Sequence, residues 1–226
     1  MYKKIIYIII LTLFCFHHSQ GQIYTRMEAG FSIKEIGFDG TQNLMTGTVF
    51  FNQVSRQVIY EFDFPEKKTM IINDTCTFWI EDHKISSHQL SESLIDFSVF
   101  NLFLNQNLDQ FGLTNTPYIL TEVEETDDMI LSTWELPSKQ VLSVGKLILS
   151  QKEGNLYGLA TLDKEGVVLS KQFFLDYILV NDLPFPSKLI QISYHDDLDS
   201  KKITTYRNIK LNSSYDEDKY TFTPAF

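Results

Sequence analysis

The feature that most constrains this chain is a two-residue alternation, cut at short intervals by turn-forming residues. It is clearest in "VIYEFDFPEKKTMIINDTCTFWIED", residues 58–82. Val58, Tyr60, Phe62 and Phe64 are apolar, whereas Glu61 and Asp63 between them are acidic. Pro65 ends that run, Glu66, Lys67 and Lys68 form a polar turn, and a second apolar run (Met70, Ile71, Ile72) stops at Asn73-Asp74. In the third run Cys76, Phe78 and Ile80 occupy one side, with Thr75, Thr77 and Glu81 on the other. Successive side chains of a strand point to opposite faces, so this period describes half-buried strands joined by tight connections. On this reading Val58, Tyr60, Phe62, Phe64, Cys76, Phe78 and Ile80 share one aromatic face, turned to the concave side of the sheet.

The same signal fills most of the chain. "MEAGFSIKEIGF" alternates, Asp39-Gly40 marks a turn, and "LMTGTVFFNQ" follows. Later come "YILTEVEE", "MILSTWELP", "GKLILSQ", "LYGLATLD", "VVLSKQFFLDYILV", "FPSKLIQISYH", "KKITTYRNIKLN" and "KYTFTP". Asp, Asn, Gly and Pro clusters separate them, each a turn with its own backbone reason. The spacing predicts about eleven strands in a mainly β domain. There is no low-complexity linker, repeat or shift in composition, which predicts one domain over residues 22–226. An antiparallel sheet that wide must curl or split. A curled, unclosed sheet offers a lined trough, and a closed one an interior that can hold a ligand.

One segment breaks the rule. From Ser91 to Leu108 the apolar residues, Phe97, Phe100, Phe103 and Leu104 among them, lie most of the way round a helix, and "SSHQLSES" supplies a start signal. A helix apolar on most sides is buried on most sides. The expectation is a lid or plug inserted into the concavity or laid across its mouth.

The amino terminus reads as a signal for export. Met1–Lys4 is a short basic start, Ile5–Phe16 is apolar but too short to span a bilayer well, and Ser19 and Gly21 stand at a cleavage spacing. Residues 1–21 are therefore expected to be removed, leaving Gln22 first. Thr12-Leu13-Phe14 before Cys15 lacks the small residue that a lipid-attachment site needs. The net charge is −10, and losing Lys3 and Lys4 makes it more negative, which argues against nucleic acid or an anionic membrane as a direct partner. Cys76 is then the only cysteine left, so no intramolecular disulfide can form.

Catalytic signals are missing. There is no Gly-x-Ser-x-Gly elbow, no glycine-rich phosphate loop and no His-Glu-x-x-His helix. His83 and His88 are five apart, His195-Asp196-Asp197 reads as an acidic turn, and Glu124, Glu125, Asp127 and Asp128 read as a hairpin tip. Paired catalytic carboxylates need an enclosed setting that such a tip lacks. No enzyme, metal or cofactor is expected.

With these runs in view, the chain resembles the outer-membrane lipoprotein carriers of the LolA and LolB type. The resemblance rests on "GTVFFNQ", on residues 58–82 and on "KYTFTP", with Pro65, Asp74, Thr77, Phe78 and Trp79 in the family's order and Phe222 and Pro224 at its last common strand. It covers most of residues 28–224, strongly at the two ends and weakly between Ser86 and Gly145. It implies an unclosed antiparallel half-barrel with helices over its open side and an apolar cavity that shelters acyl chains. It further implies a soluble periplasmic monomer that carries an acylated lipoprotein or another envelope lipid from an inner-membrane donor to an outer-membrane acceptor. A lipid or peptide sensor on the same scaffold is the alternative. Two departures bear on the lid. The family's first helix has little room before Met27, and the arginine that pins the family's lid after the second strand is replaced by Gln53, with Arg56 displaced.

Overall fold

The computed structural model describes residues 24–73, 76–81, 84–90, 98–104, 111, 113, 116–126, 128–137, 144–196, 198–213 and 217–222. Thirteen strands are formed: β1 Arg26–Ile36, β2 Gln42–Asn52, β3 Gln57–Phe64, β4 Lys68–Ile72, β5 Cys76–Glu81, β6 Lys84–Leu90, β7 Ile119–Glu125, β8 Ile130–Glu135, β9 Lys146–Lys152, β10 Asn155–Leu162, β11 Val168–Val180, β12 Leu183–His195 and β13 Leu198–Leu211. A short helix, α1, spans Val99–Leu104, and a 3-10 turn spans Glu217–Tyr220. Every strand joins one antiparallel sheet in the order β6-β5-β4-β3-β2-β1-β13-β12-β11-β10-β9-β8-β7, with β6 and β7 as open edges. The chain thus winds outward from β1 to one edge, crosses to the other, and returns to close β13 on β1.

The sheet must be strongly curved. Strands lie ~4.8 Å apart, so β3 and β8, eight steps removed, would be about 38 Å apart if the sheet were flat. Yet Val58 and Phe62 of β3 share one hydrophobic cluster with Trp134 of β8, Leu147 and Leu149 of β9 and the helix α1. The expected unclosed half-barrel is therefore the observed architecture.

Local chemistry explains the hairpins. Glu153 and Gly154 link β9 to β10, and Asn181 and Asp182 link β11 to β12; all four have φ between 48° and 78°. Two consecutive positive φ values twist a two-residue turn in the same sense as the strands it joins, and Gly, Asn and Asp tolerate them best. Between β4 and β5, Asn73 and Cys76 bracket the turn: the Asn73 N–H donates to the Cys76 carbonyl (3.0 Å), and the Cys76 N–H donates to Asn73 Oδ1 (2.8 Å).

Two expectations are corrected, and a third is met by the residues described. Residues 86–90, read as a helix start, form most of β6, an exposed polar edge strand whose side chains carry no two-residue signal. Of the helix expected over 91–108, the described portion is Val99–Leu104; Phe97 lies outside the described residues. Of the "KYTFTP" segment, residues 219–222 are described and are not a strand, and Pro224 lies outside the described residues. The described part continues from the 3-10 turn as a strap across the convex face of β2–β5, where Tyr220 and Phe222 meet Phe50, Ile59, Ile71 and Phe78. The Gln57 side chain holds it as a backbone would, donating to the Phe222 carbonyl (2.8 Å) and accepting from its N–H (2.8 Å).

Candidate functional site: a cavity on the concave face

Residues paired across an antiparallel ladder point to the same face, so the register assigns the faces. Met27, Phe51, Val58, Ile72 and Thr77 form one continuous row, and Ala29, Val49, Tyr60, Met70 and Trp79 the next. Both are concave, since Met27, Phe51 and Val58 pack in the same cluster as α1. Val58, Tyr60 and Phe62 therefore line the concave side as expected from their alternation.

Cys76, Phe78 and Ile80 do not. The row Phe50, Ile59, Ile71, Phe78 and His88 is convex and is covered by the carboxy-terminal strap. Phe78 lies 6.0 Å from the Phe222 ring and stacks on His88 at 6.3 Å. In their place, Thr77 and Trp79 face inward. Phe64 is likewise outside the trough, 51% exposed at the rim. A bulge at Thr46/Gly47 shifts the register just before it, so that the alternation no longer carries Phe64 inward.

All six residues of α1 are buried, which places it inside the concavity. Phe100 stacks on Phe51 (5.5 Å) and meets Tyr206 edge-on (5.6 Å). Phe103 packs among Phe174, Tyr177 and Phe185 at 5.4–5.9 Å. The helix thus bridges rings from four strands, β2, β13, β12 and β11. Leu104 is buried with it.

Beside the helix's first turn the trough stays unfilled. A cavity of about 310 Å³ lies between β1, β3, β4, β10–β13 and Ser98–Phe100. Its apolar wall is Ile33, Tyr60, Met70, Ile72, Val99, Phe100, Leu159, Leu189 and Tyr206, and its polar wall Thr161, Ser170, Gln172, Gln191, Lys202 and Thr204. Burial pushes the Tyr60 phenol up to about 12 and that of Tyr206 further. Both rings present neutral hydroxyls to the cavity at ordinary pH. Of the residues selected from the alternation and the helix pattern, Tyr60 and Phe100 reach this cavity, Val58, Phe62, Phe103 and Leu104 support it, and Phe64, Cys76, Phe78 and Ile80 do not. The β10–β13 wall escaped the sequence reading because its inward side chains are mostly polar and follow no apolar alternation.

A larger hollow of about 450 Å³ lies between Glu135–Pro137, Gly145–Lys146 and the Asp163–Gly166 turn. Charged groups and backbone line it, and its Glu135–Lys146 ion pair (2.8 Å) is half-exposed, so it lacks the enclosed apolar wall of a ligand site. His195 and Asp196 are exposed at a turn, 3.8 Å apart, and Asp128 pairs with Lys152 at the β7–β8 tip. Among the described residues no group of three or more His, Cys, Asp or Glu is placed to hold a metal ion.

An open, strongly curved antiparallel sheet holding a buried helix and an amphipathic cavity is the class this chain falls in. Its particular form is the LolA/LolB-like fold. A LolA superfamily protein from Nitrosomonas europaea superposes with a TM-score of 0.59 at 13% identity, over 84% of this chain and 87% of that one. A domain assigned as outer membrane lipoprotein-sorting from Vibrio parahaemolyticus gives 0.61 at 10% identity, over 86% and 88%. A DUF1329 family protein from Desulfovibrio piger gives 0.53 at 10% identity, over 88% and 91%. No family model and no curated protein matches the sequence. At such identities the likeness is one of fold.

Proposed function

We propose that this chain is an exported, non-enzymatic carrier that shelters the acyl chains of lipid-modified cargo, lipoproteins first among them, in its concave trough on the way to the outer membrane. The observation that carries this reading is the cavity between the sheet and α1, with nine apolar side chains on one wall in a fold that leaves its open side uncovered by further strands. Each methylene kept from water is worth ~0.8 kcal/mol, so a long acyl chain cannot cross an aqueous space without such a surface. The cavity is at the low end of the ~300–1,000 Å³ typical of ligand pockets. It therefore suits one acyl chain as it stands, and a cargo with several chains requires α1 to swing out. The fold's likeness to lipoprotein-sorting proteins supports an envelope setting, consistent with the leader-like residues 1–21.

Native mass spectrometry of the protein released gently from its own envelope tests the reading. A lipoprotein or an envelope lipid bound in one copy is the expected result. Protein that is ligand-free in the envelope and that fails to take up a long-chain fluorescent fatty acid after delipidation would overturn it.

A further inference from the structure

The concave face changes polarity along the strands, and the register locates the change. The row Phe174, Leu189, Thr204, Ile33 is largely apolar. One step further along the strands the inward row is Leu159, Gln172, Gln191, Lys202 and Glu35. The next is Thr161, Ser170, Ser193 and Ser200, with Thr161 and Ser170 hydroxyls bonded at 2.8 Å. Over the same stretch the opposite, convex face carries Phe173, Ile190 and Ile203 in register. A half-buried sheet puts apolar groups inward and polar groups outward. At this end of the trough the inward rows are polar, whereas the convex rows are mixed, Phe173, Ile190 and Ile203 beside Lys171, Ile192 and Lys201, so the inward polar belt is not what burial alone selects.

The cavity spans this boundary. Its apolar wall ends where Gln172, Gln191 and Lys202 begin, and Lys202 is the one charged residue among the described residues that line it. Lys202 Nζ stands 3.7 Å from Glu35 Oε1, beyond hydrogen-bond length, with both side chains partly exposed. That pairing leaves the ammonium's donors available to a ligand. The two amides on adjacent strands add donors of the kind that orient a carboxylate.

We propose that the belt of Gln172, Gln191 and Lys202 is a headgroup site, and that the cavity takes a single-chain amphiphile ending in a carboxylate, its chain lying along Ile33, Met70, Ile72 and Leu189. The proposal rests on the reading of the trough as an acyl-chain site and names the ligand it takes while α1 stays in place. Lys202 supplies the charge, the amides set the orientation, and Glu35 tempers the affinity by competing for the same ammonium.

The test compares palmitate with hexadecanol, which shares the chain but not the charge, binding to the delipidated full chain by calorimetry at neutral pH. Palmitate is expected to bind about fivefold or more tightly, the scale of one partly exposed charge-assisted contact. Lys202→Met removes that preference by weakening palmitate more than hexadecanol, Lys202→Arg retains it, and Glu35→Gln increases it. Unchanged melting of the variants confirms that they fold. Equal affinity of the two ligands for the unaltered protein, or a preference that survives Lys202→Met, overturns the headgroup assignment while leaving an acyl-chain site. Failure of both ligands to bind overturns the assignment, and together with ligand-free protein from the envelope it overturns the carrier reading.

Discussion

At the scale of single residues, Gly47 sets the curvature on which the site depends. It lies on the concave row between Phe31 and Phe62, and a Cβ there would stand 1.9 Å from the Glu61 carbonyl oxygen. The absent side chain lets β3 approach β2 at the bulge, and Phe31 and Phe62 close over it edge to face at 5.3 Å. Gly47→Ala is expected to cost at least the upper part of the ~1–3 kcal/mol range for overpacking, because the clash is with backbone. Urea unfolding monitored by Trp fluorescence measures it. Tyr60 makes a prediction in pH. Its phenol is raised by burial to about 12 from an ordinary 10, so between those values the folded chain holds a proton that the unfolded chain has lost. This contribution to stability is complete below about pH 10 and disappears as pH rises toward 12. Tyr60→Phe should make the loss of stability over that window shallower, as read from urea midpoints at a series of alkaline pH values.

Among the elements, the strap and the helix play opposite parts. The strap covers the convex face of β2–β5 and turns that face into a second small core. Gln57→Ala removes both hydrogen bonds to Phe222 and is expected to cost about 1–3 kcal/mol. The more specific outcome is that Cys76, half-buried under the strap, reacts faster with a thiol reagent, whereas deuterium uptake in the concave half of the sheet stays unchanged. The helix fills the trough from inside. Phe103 is enclosed by three rings, and Phe103→Ala should cost about 3–5 kcal/mol, as for a fully packed aromatic. Phe100 borders the cavity, so part of its surroundings is open space; Phe100→Ala should destabilise less and enlarge the site. Melting temperature and fatty-acid affinity measured on both variants check the contrast. Equal losses of stability would mean that the whole helix is permanent core and does not gate the trough.

For the whole molecule, the consequential property is that the sheet curls without closing. A closed barrel has no edge and a fixed interior, whereas this sheet ends in β6 and β7, and its interior is bounded by a helix of six described residues. Changing the helix's position changes the volume of the trough without breaking a strand pairing. Export belongs to this scale as well. The protein recovered from the envelope is expected to begin near Gln22, and intact-mass measurement decides it; a full-length chain in the inner membrane would contradict the leader reading of residues 1–21. Occupancy should be felt globally too. A ligand present at a hundredfold excess over its dissociation constant adds about 2.7 kcal/mol to the folded state, so palmitate is expected to raise the melting temperature by several degrees.

Existence and ends of strands were legible in the amino-acid sequence because they depend on neighbours one or two residues apart. Alternation, Pro65, Asn73 and the Asn181-Asp182 turn are local, and the segments read from such signals coincide with every described strand except the sixth. The sixth strand did not, since an exposed edge strand has no burial to impose a pattern. Val58, Tyr60 and Phe62 were placed correctly because Glu61 and Asp63 between them settle which side is wet. In Cys76–Glu81 both sides carry apolar groups, Phe78 on one and Trp79 on the other, and the choice passed to the register across the β4–β5 turn. That the convex side is also covered is decided by the strap, some 140 residues away in sequence (Phe78 to Phe222), and no local rule reports it. The polar end of the cavity is of the same kind. Gln172, Gln191 and Lys202 read singly as surface residues, and only the pairing of β11, β12 and β13 sets them side by side, facing inward. Local periodicity determined which segments are strands; long-range pairing decided which face each one turns to the trough, because a face is a property of the sheet and not of the strand.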